Sequence, residues 1–220
     1  MDFDVIAFDL DGTLADTSAD LADALNHALG TLGRPRLPLP QIRLMVGHGT
    51  RALMRKGLQA TGGCDDVLLD SGLRELTGFY ENNICRHTLA YAGASDAIDH
   101  LRTMNIRTAI CTNKPERLAK ALVEALGWTH KFDTIIGGDT LPVTKPDAAP
   151  LLEAISRCGG GRALYVGDSI TDADTARAAN LPFIAVSFGF RDRPIEQLGA
   201  DAVVESFDDL VGAMRSLDIR

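Results

Sequence analysis

The chain has 220 residues, of which 45% are hydrophobic and 24% are charged, so neither a disordered nor a fibrous protein is indicated. Thirty acidic residues against 22 basic ones give a formal net charge of -8, which disfavours binding to nucleic acid or to an anionic lipid surface. The cysteines are widely spaced and form no CxxC pair, so neither a zinc site nor a disulfide framework is expected: Cys64, Cys85, Cys111 and Cys158.

The first residues, MDFDVIAFDLDG, predict a buried strand over residues 4–8 that ends at an Asp-Gly pair. The segment has no basic region before its apolar run and does not resemble a signal peptide. No later apolar stretch approaches the roughly 20 residues needed to span a bilayer. We therefore expect a cytoplasmic protein that does not bind membranes.

The next part of the chain is predicted to be helical. Apolar residues recur at helical spacing over residues 18–32, and the three prolines of RPRLPLP at 34–40 end that pattern. Two further helices are predicted over residues 41–60 and 65–83, and no convincing strand lies between about 16 and 85. Residues 16–85 are therefore predicted to form a compact helical insertion.

From residue 94 onward helices and strands alternate. The predicted helices are 94–104, 115–126, 146–157, 172–179 and 207–216, and the predicted strands are 106–111, 133–136, 163–166, 183–186 and 202–204. Alternating βα units predict a doubly wound parallel sheet whose ligand crevice lies at the carboxyl ends of the strands. Residues 1–15 and 86–220 are thus predicted to form an α/β core.

The first chemical motif, DLDGT, directly follows the first predicted strand. Asp9 and Asp11 stand at i and i+2 of an extended segment and project to the same side, where they would repel each other without a cation or a proton. Gly12 permits a tight turn that brings backbone N–H groups close to an anion. The alternative interpretation is an Asx turn or a helix cap.

Two further motifs are weaker when taken singly. Thr112 and Asn113 follow a predicted strand, where a hydroxyl and backbone N–H groups suit phosphoryl oxygens; alternatively, one of them only caps helix 115–126. Lys145 precedes Pro146, which is predicted to open helix 146–157 and so to fix where the lysine points. The alternative for Lys145 is an ordinary solvated lysine.

The fourth motif, GDSITD, follows the predicted strand 163–166. Asp168 lies at the strand end and Asp172 at the start of a helix, so they are candidates for a metal ligand and its hydrogen-bonding support, with helix capping as the alternative for Asp172. If these strands share one sheet, the four motifs converge on one edge. Their carboxylates would select a hard divalent cation, most plausibly Mg²⁺.

Together the motifs resemble those of the haloacid dehalogenase-like phosphatases, specifically the phosphoglycolate phosphatase group. FDLDGTLADT is similar to the first family motif, CTNK to the second, the lysine of VTKPD to the third and VGDSITD to the fourth. IIGGD at 135–139 and SFGF at 187–190 also fit the group. The resemblance covers essentially the whole chain and implies a Rossmann-like core with an α-helical cap of the first type (C1).

The resemblance implies a role for each motif residue. Asp9 would be the nucleophile and Asp11 the general acid and base. Phosphate would be bound by Thr112, Asn113 and Lys145. Mg²⁺ would be bound by Asp9, the backbone carbonyl of Asp11 and Asp168, with Asp172 orienting this metal shell. Substrate specificity would come from the cap loop Gly47, His48 and Gly49, where relatives often have asparagine in place of His48; Arg51 is a further candidate whose alternative is the solvated surface.

The resemblance also implies hydrolysis of small phosphomonoesters, with 2-phosphoglycolate giving glycolate and phosphate. The expected oligomeric state is a monomer or a homodimer. Three alternatives stay open: another small-substrate phosphatase, a β-phosphoglucomutase-like phosphoryl transfer, and a receiver-like phospho-switch without turnover. A receiver needs no cap and has no leaving group to protonate, so the helical insertion and Asp11 argue against it. A dehalogenase would need neither Asp11 nor a metal.

Overall fold

The computed structural model describes residues 3–190 and 193–218, and its centre is a six-stranded parallel sheet. The strands are β1 Val5–Phe8, β2 Ala15–Asp16, β3 Leu89–Ala90, β4 Arg107–Cys111, β5 Thr134–Ile136, β6 Ala163–Gly167, β7 Phe183–Val186 and β8 Ala202–Val204. The order in the main sheet is β5-β4-β1-β6-β7-β8, with every pair parallel. The prediction of a doubly wound parallel sheet is confirmed.

Nine helices are found in the described part of the chain. They are α1 Ser18–Thr31, α2 Leu39–Arg43, α3 Gly49–Ala60, α4 Asp66–Asn82, α5 Ala94–Thr103, α6 Glu116–Ala125, α7 Ala149–Arg157, α8 Ile170–Ala178 and α9 Leu210–Asp218. Short 3-10 turns span Ile195–Leu198 and Phe207–Asp209. Within residues 3–190 and 193–218, none of the helices has the length and apolarity to cross a membrane.

Both faces of the sheet are buried, as a strand without polar alternation requires. In β1, Ile6 and Phe8 belong to a cluster with apolar residues of α5, α6 and α9. Val5 and Ala7, which alternate with them, belong to a second cluster formed with α7 and α8. The sheet is therefore covered on both sides, and its ends are the parts left to bind ligands.

The helices α1 to α4 share a separate apolar cluster that includes Leu25, Leu53 and Tyr80. Leu118, from α6 beside the sheet, also packs in this cluster. The division into a core and an inserted cap remains a prediction, and residues 1–2, 191–192 and 219–220 of the predicted core lie outside the described residues.

The chain enters and leaves the helical segment at adjacent points. Strands β2 and β3 form an antiparallel pair with Asp16 opposite Leu89. Beside them the buried carboxylate of Asp20 accepts hydrogen bonds from the backbone N–H of His87 and from the N–H and hydroxyl of Thr88. Because a buried carboxylate is costly unless it is hydrogen-bonded, these bonds tie the two crossings together.

Two predicted helices were wrong in their extent. The predicted helix 41–60 is interrupted after Arg43, because Gly47 has a φ of +104° through which a right-handed helix cannot continue. Helix α3 begins only at Gly49, its first residue, which has a φ of +81°. The predicted helix 146–157 begins at Ala149, and Pro150 rather than Pro146 occupies its first turn. The Lys145-Pro146 peptide is cis, so Pro146 does not open the helix.

Candidate active site

The predicted site residues follow three neighbouring strands at the centre of the sheet. β1 pairs in parallel with β4 on one side and β6 on the other. Asp9, Thr112 and Asp168 are each the first residue after one of these strands. Since the carboxyl ends of parallel strands lie at one edge, the topology brings the first, second and fourth motifs together.

Three carboxylates meet at this edge. One oxygen each of Asp9, Asp168 and Asp172 lies within 4.8 Å of the others, and all three side chains are buried. Burial raises the pKa of Asp9 to about 7, with Lys145 opposing the shift and Asp172 adding to it. Burial and the neighbouring Asp172 and Asp9 raise the pKa of Asp168 to about 8. The cluster therefore holds more negative charge than its protein surroundings stabilise.

Lys145 lies beneath this cluster rather than in solvent. Its ammonium nitrogen is 3.1 Å from Asp9 Oδ1 and 2.6 Å from Asp172 Oδ1, and it donates to the Tyr165 hydroxyl at 2.8 Å. Burial acts to lower the pKa of Lys145, but Asp172 and Asp9 outweigh it and hold this pKa above its ordinary value. The alternative of a solvated lysine is wrong, because the side chain is buried and paired.

Both oxygens of Asp172 are already occupied by protein donors. Oδ1 accepts from Lys145 and lies 3.0 Å from the Tyr165 hydroxyl, while Oδ2 accepts from the Asp168 N–H and from the N–H and hydroxyl of Ser169. Ser169 and Asp172 form a capping box at the start of α8, so the capping interpretation also holds. Although burial acts to raise the pKa of Asp172, the paired Lys145 and the other hydrogen bonds hold it below its usual range.

Asp168 is held by groups that no side-chain motif predicted. Its Oδ2 accepts from the Phe190 N–H at 2.6 Å and its Oδ1 from the Thr13 hydroxyl at 3.2 Å. The turn after Asp11 passes so close that a Cβ on Gly12, whose φ is +88°, would lie 2.4 Å from Asp168 Oδ2. Only glycine fits at this position of the first motif, which explains the Asp-Gly pair.

The second motif contacts the third. The side-chain amide of Asn113 donates to the Lys145 carbonyl at 3.2 Å, which fixes the two loops relative to each other. Helix α6 begins at Glu116 with Pro115 at its N-cap, so the interpretation of Thr112 or Asn113 as a helix cap is wrong.

Asp11 belongs to a different set of side chains. Lys114 donates to both of its oxygens, at 2.9 and 3.2 Å, and to the Tyr80 hydroxyl of α4 at 2.8 Å. The Thr17 hydroxyl donates to Asp11 Oδ1 at 2.7 Å. Lys114 belongs to the CTNK motif but had no predicted role, and Tyr80 was not predicted at all, because its helical spacing is typical of an ordinary core residue.

A narrow cavity lies between this edge of the sheet and the helical segment. Its walls include Asp9, Asp11, Thr112, Gly47 and Gly49. The predicted contact of the 47–49 loop with the site is thus present at its two glycines, and a Cβ on Gly49 would lie 2.8 Å from the Asn113 carbonyl.

Two candidates from the helical segment, His48 and Arg51, do not line this cavity. His48 borders a neighbouring cavity with Asp168 and Ser169, and its Nε2 lies 3.5 Å from the Thr171 hydroxyl. Arg51 is half exposed and paired with Asp70 at 2.9 Å, so the solvated-surface alternative describes it.

The carboxylate cluster fits a divalent metal ion. Its donors are oxygens only, which is the preference of hard cations. The raised pKa values of Asp9 and Asp168 indicate a net negative site that a cation would stabilise. Since Lys145 and the donors of Ser169 hold the pKa of Asp172 low while the pKa values of Asp9 and Asp168 are raised, Asp9 and Asp168 are the two carboxylates whose charge a bound ion would stabilise most.

The chain is similar to known proteins along nearly its whole length. The family profile described as haloacid dehalogenase-like hydrolase matches residues 6–186. A phosphoglycolate phosphatase of Caulobacter vibrioides is 40% identical over 215 residues, covering 96% of this chain and 91% of that protein. One of Mesorhizobium japonicum is 42% identical over 209 residues, covering 94% and 92%. The crystal structure of a predicted phosphoglycolate phosphatase from Haemophilus somnus matches with a TM-score of 0.91 at 26% identity, covering 96% and 98%.

Proposed function

The chain belongs to the haloacid dehalogenase-like hydrolase family, and we propose that it is a Mg²⁺-dependent phosphatase that hydrolyses 2-phosphoglycolate and similar small phosphomonoesters. The observation that carries the proposal is the position of Asp9, a buried carboxylate at a cavity wall beside Asp168 and the ammonium group of Lys145. Such a carboxylate can attack phosphorus while its own charge is compensated by neighbouring groups.

In the first step an oxygen of Asp9 attacks phosphorus, and the bond from phosphorus to the ester oxygen breaks. Asp11, which borders the same cavity, gives its proton to the departing oxygen, so that an alcohol leaves. The product on the protein is an aspartyl-phosphate at Asp9. Formation of this intermediate divides the hydrolysis into two displacements with lower barriers.

In the second step water attacks the phosphorus of the aspartyl-phosphate. Asp11, now a carboxylate, takes a proton from that water, and Asp9 is released together with inorganic phosphate. Thr112, Asn113 and Lys145 bind the phosphoryl oxygens and stabilise the charge that spreads over them in both displacements. The structure supports these roles for Thr112 and Asn113, which line the cavity.

Mg²⁺ bound by Asp9, Asp168 and the backbone carbonyl of Asp11 would supply positive charge that shields the nucleophile from an anionic substrate. The finer choice of Mg²⁺ over other hard cations rests on the chemistry of the donors and on the family. Asp172 holds Lys145 and the start of α8 in place, so it orients this group of side chains without contacting the substrate.

The helical segment is proposed to act as a cap over the cavity, with the 47–49 loop selecting the organic part of the substrate. The names of the relatives from Caulobacter vibrioides and Mesorhizobium japonicum support 2-phosphoglycolate as the substrate. Exclusion of bulk water by such a cap would protect the aspartyl-phosphate from uncontrolled hydrolysis. A cytoplasmic location and a monomer or homodimer stay predictions.

The test is a phosphate-release screen over small phosphate esters, with and without Mg²⁺ and with EDTA. The expected result is turnover of 2-phosphoglycolate that EDTA abolishes and added Mg²⁺ restores. Isomerisation of a hexose phosphate without net phosphate release would instead indicate a mutase. A stable phosphoprotein without turnover would indicate a receiver-like switch, and either result would overturn the proposal.

A further inference from the structure

Two side chains without a predicted role, Lys114 and Tyr80, lie next to Asp11. Lys114 and Tyr80 are both buried, and the three groups form a chain of contacts from Asp11 through the ammonium group to the phenol. The Tyr80 ring also faces the ammonium nitrogen, which lies 4.5 Å from the ring centroid. A buried lysine is costly unless it is paired, so its presence beside the cavity calls for an explanation.

We propose that Lys114, itself held by Tyr80, is the positioning residue that fixes the Asp11 side chain for protonation of the leaving group. This inference rests on the proposed function, since it presumes that Asp11 transfers a proton to the ester oxygen. Neither Lys114 nor Tyr80 needs to touch the reacting atoms.

The contacts explain how the positioning works. The two Lys114 hydrogen bonds and the one from Thr17 together engage both oxygens of Asp11, which restricts its rotamer. When the Asp11 proton moves to the ester oxygen as its bond to phosphorus breaks, a carboxylate forms next to an ammonium group already in place. No reorganisation is then needed to stabilise that charge, which is how preorganised sites accelerate a reaction.

Tyr80 gives the arrangement its second anchor. It lies in the last turn of α4, packs with Leu118 of α6 in one apolar cluster, and accepts the Lys114 hydrogen bond at 2.8 Å. Burial raises the pKa of Tyr80 to about 12, so its hydroxyl stays neutral and offers Lys114 an oxygen lone pair at physiological pH. A residue of the helical segment therefore helps to set the geometry of a residue at the sheet edge.

The test uses the leaving-group dependence of kcat/KM, because a leaving group that departs readily as an anion gains little from an acid. Phenyl phosphate is compared with p-nitrophenyl phosphate, and 2-phosphoglycolate with acetyl phosphate. Lys114→Met is expected to lower kcat/KM by about 10²-fold for the poorer leaving group of each pair and by less than about tenfold for the better one. Tyr80→Phe, which keeps the ring, is expected to show the same pattern at about three- to tenfold.

Lys131→Met is the matched control. Lys131 is another buried lysine, paired with Asp99 away from the cavity, so its loss reports the general cost of removing a buried ammonium group. It is expected to lower stability and leave the ratio of kcat/KM between the two esters of a pair unchanged. Circular dichroism and thermal melting establish that each variant is folded, and Tyr80→Phe decides the outcome if Lys114→Met does not fold.

Equal losses on both esters of a pair in a folded variant would overturn the inference. A loss confined to 2-phosphoglycolate, with none in the phenyl pair, would overturn it too, because it would place Lys114 on the substrate carboxylate. Failure of the wild-type protein to hydrolyse any of the four esters would refute the proposed function instead.

Discussion

Two buried lysines lie at the same edge of the sheet, and their surroundings differ in charge. The ammonium group of Lys145 is paired with the carboxylates of Asp9 and Asp172. An oxygen of Asp168 lies within 4.8 Å of an oxygen of each of these two carboxylates. Lys114 contacts one carboxylate, that of Asp11. Each lysine also donates to a tyrosine hydroxyl. The group around Lys145 has three acidic side chains and one ammonium group, whereas the group around Lys114 has one acidic side chain and one ammonium group.

The difference separates two tasks that the four motifs alone do not distinguish. A surplus of buried negative charge is relieved by bound protons or by a further cation, so the Lys145 group is the one suited to a metal ion. A balanced pair requires none and instead holds a side chain in place. The charge balance therefore favours metal binding at the Lys145 group, and it fits the proposed positioning of Asp11 by Lys114.

The largest expected effect comes from Asp9→Asn, which removes the proposed nucleophile and one negative charge from the carboxylates around Lys145. Phosphate release should fall by more than about 10³-fold, since an amide does not form the covalent intermediate. The melting temperature without metal should stay the same or rise, because repulsion with Asp168 is relieved. Activity near the wild-type level would refute the role of Asp9.

The two lysines can be compared directly through stability. Lys145→Met leaves three buried acidic side chains uncompensated and should cost about 3–5 kcal/mol in the free energy of unfolding. Lys114→Met should cost less, because it leaves one, and Asp11 borders the cavity and can be hydrated. Urea unfolding of both variants in metal-free buffer measures the difference. A larger loss of stability in Lys114→Met than in Lys145→Met would contradict the difference in charge balance between the two groups.

A smaller effect is expected from pH. In the metal-free protein the pKa values of Asp9 and Asp168 are raised to about 7 and 8, above the value of about 3.9 expected in the unfolded chain. Their contribution to stability is therefore fully present below about pH 4, and it decreases as pH rises from there through 7 to 8, where both carboxyl groups ionise in the folded protein as well.

Mg²⁺ should offset this loss by binding the ionised carboxylates. The increase in melting temperature on adding Mg²⁺ is thus expected to be larger at pH 8 than at pH 6, and Asp168→Asn should reduce that difference. Melting curves at the two pH values, with Mg²⁺ or EDTA, make the comparison. An equal increase at both values would argue against a metal at these carboxylates.

The smallest expected effect concerns the contact between the helical segment and the sheet edge. Gly49→Ala would place a Cβ 2.8 Å from the Asn113 carbonyl at a φ of +81° and should lower kcat/KM by about tenfold. Gly63→Ala is the control, since Gly63 has a φ of +100° but no neighbour within 4 Å of its Cβ. If both variants lose the same activity, backbone strain rather than close approach is the cause.

Much of the site was predictable because each motif follows a buried strand. Asp9, Thr112 and Asp168 come directly after apolar strands, and parallel strands present their carboxyl ends at one edge. The position of Lys145 was predicted from the motif, but the stated reason, a helix opened by Pro146, was wrong because α7 begins later.

Other contributors to the site could not be predicted from the sequence pattern. Tyr80 and Tyr165 occupy buried helix and strand positions where an aromatic residue is typical of any core, and only their hydroxyl contacts give them a further role. The N–H of Phe190 is a backbone donor and carries no side-chain signature. The interruption after Arg43 is different, since Gly47 and Gly49 inside the predicted helix 41–60 were a signal for it that the prediction did not use.

The pairing of β2 with β3 and the hydrogen bonds of Asp20 place the start and the end of the helical segment side by side. The helical segment therefore connects to the sheet at one place, as a long loop with adjacent ends would. A segment of different length and sequence is therefore expected to be exchangeable between Asp20 and His87 without altering the strands that carry Asp9 and Asp168, provided that Thr17, Asp20 and Thr88 are kept and Lys114 retains a partner in place of Tyr80. A change of substrate can then evolve, or be engineered, by transplanting that loop as one piece.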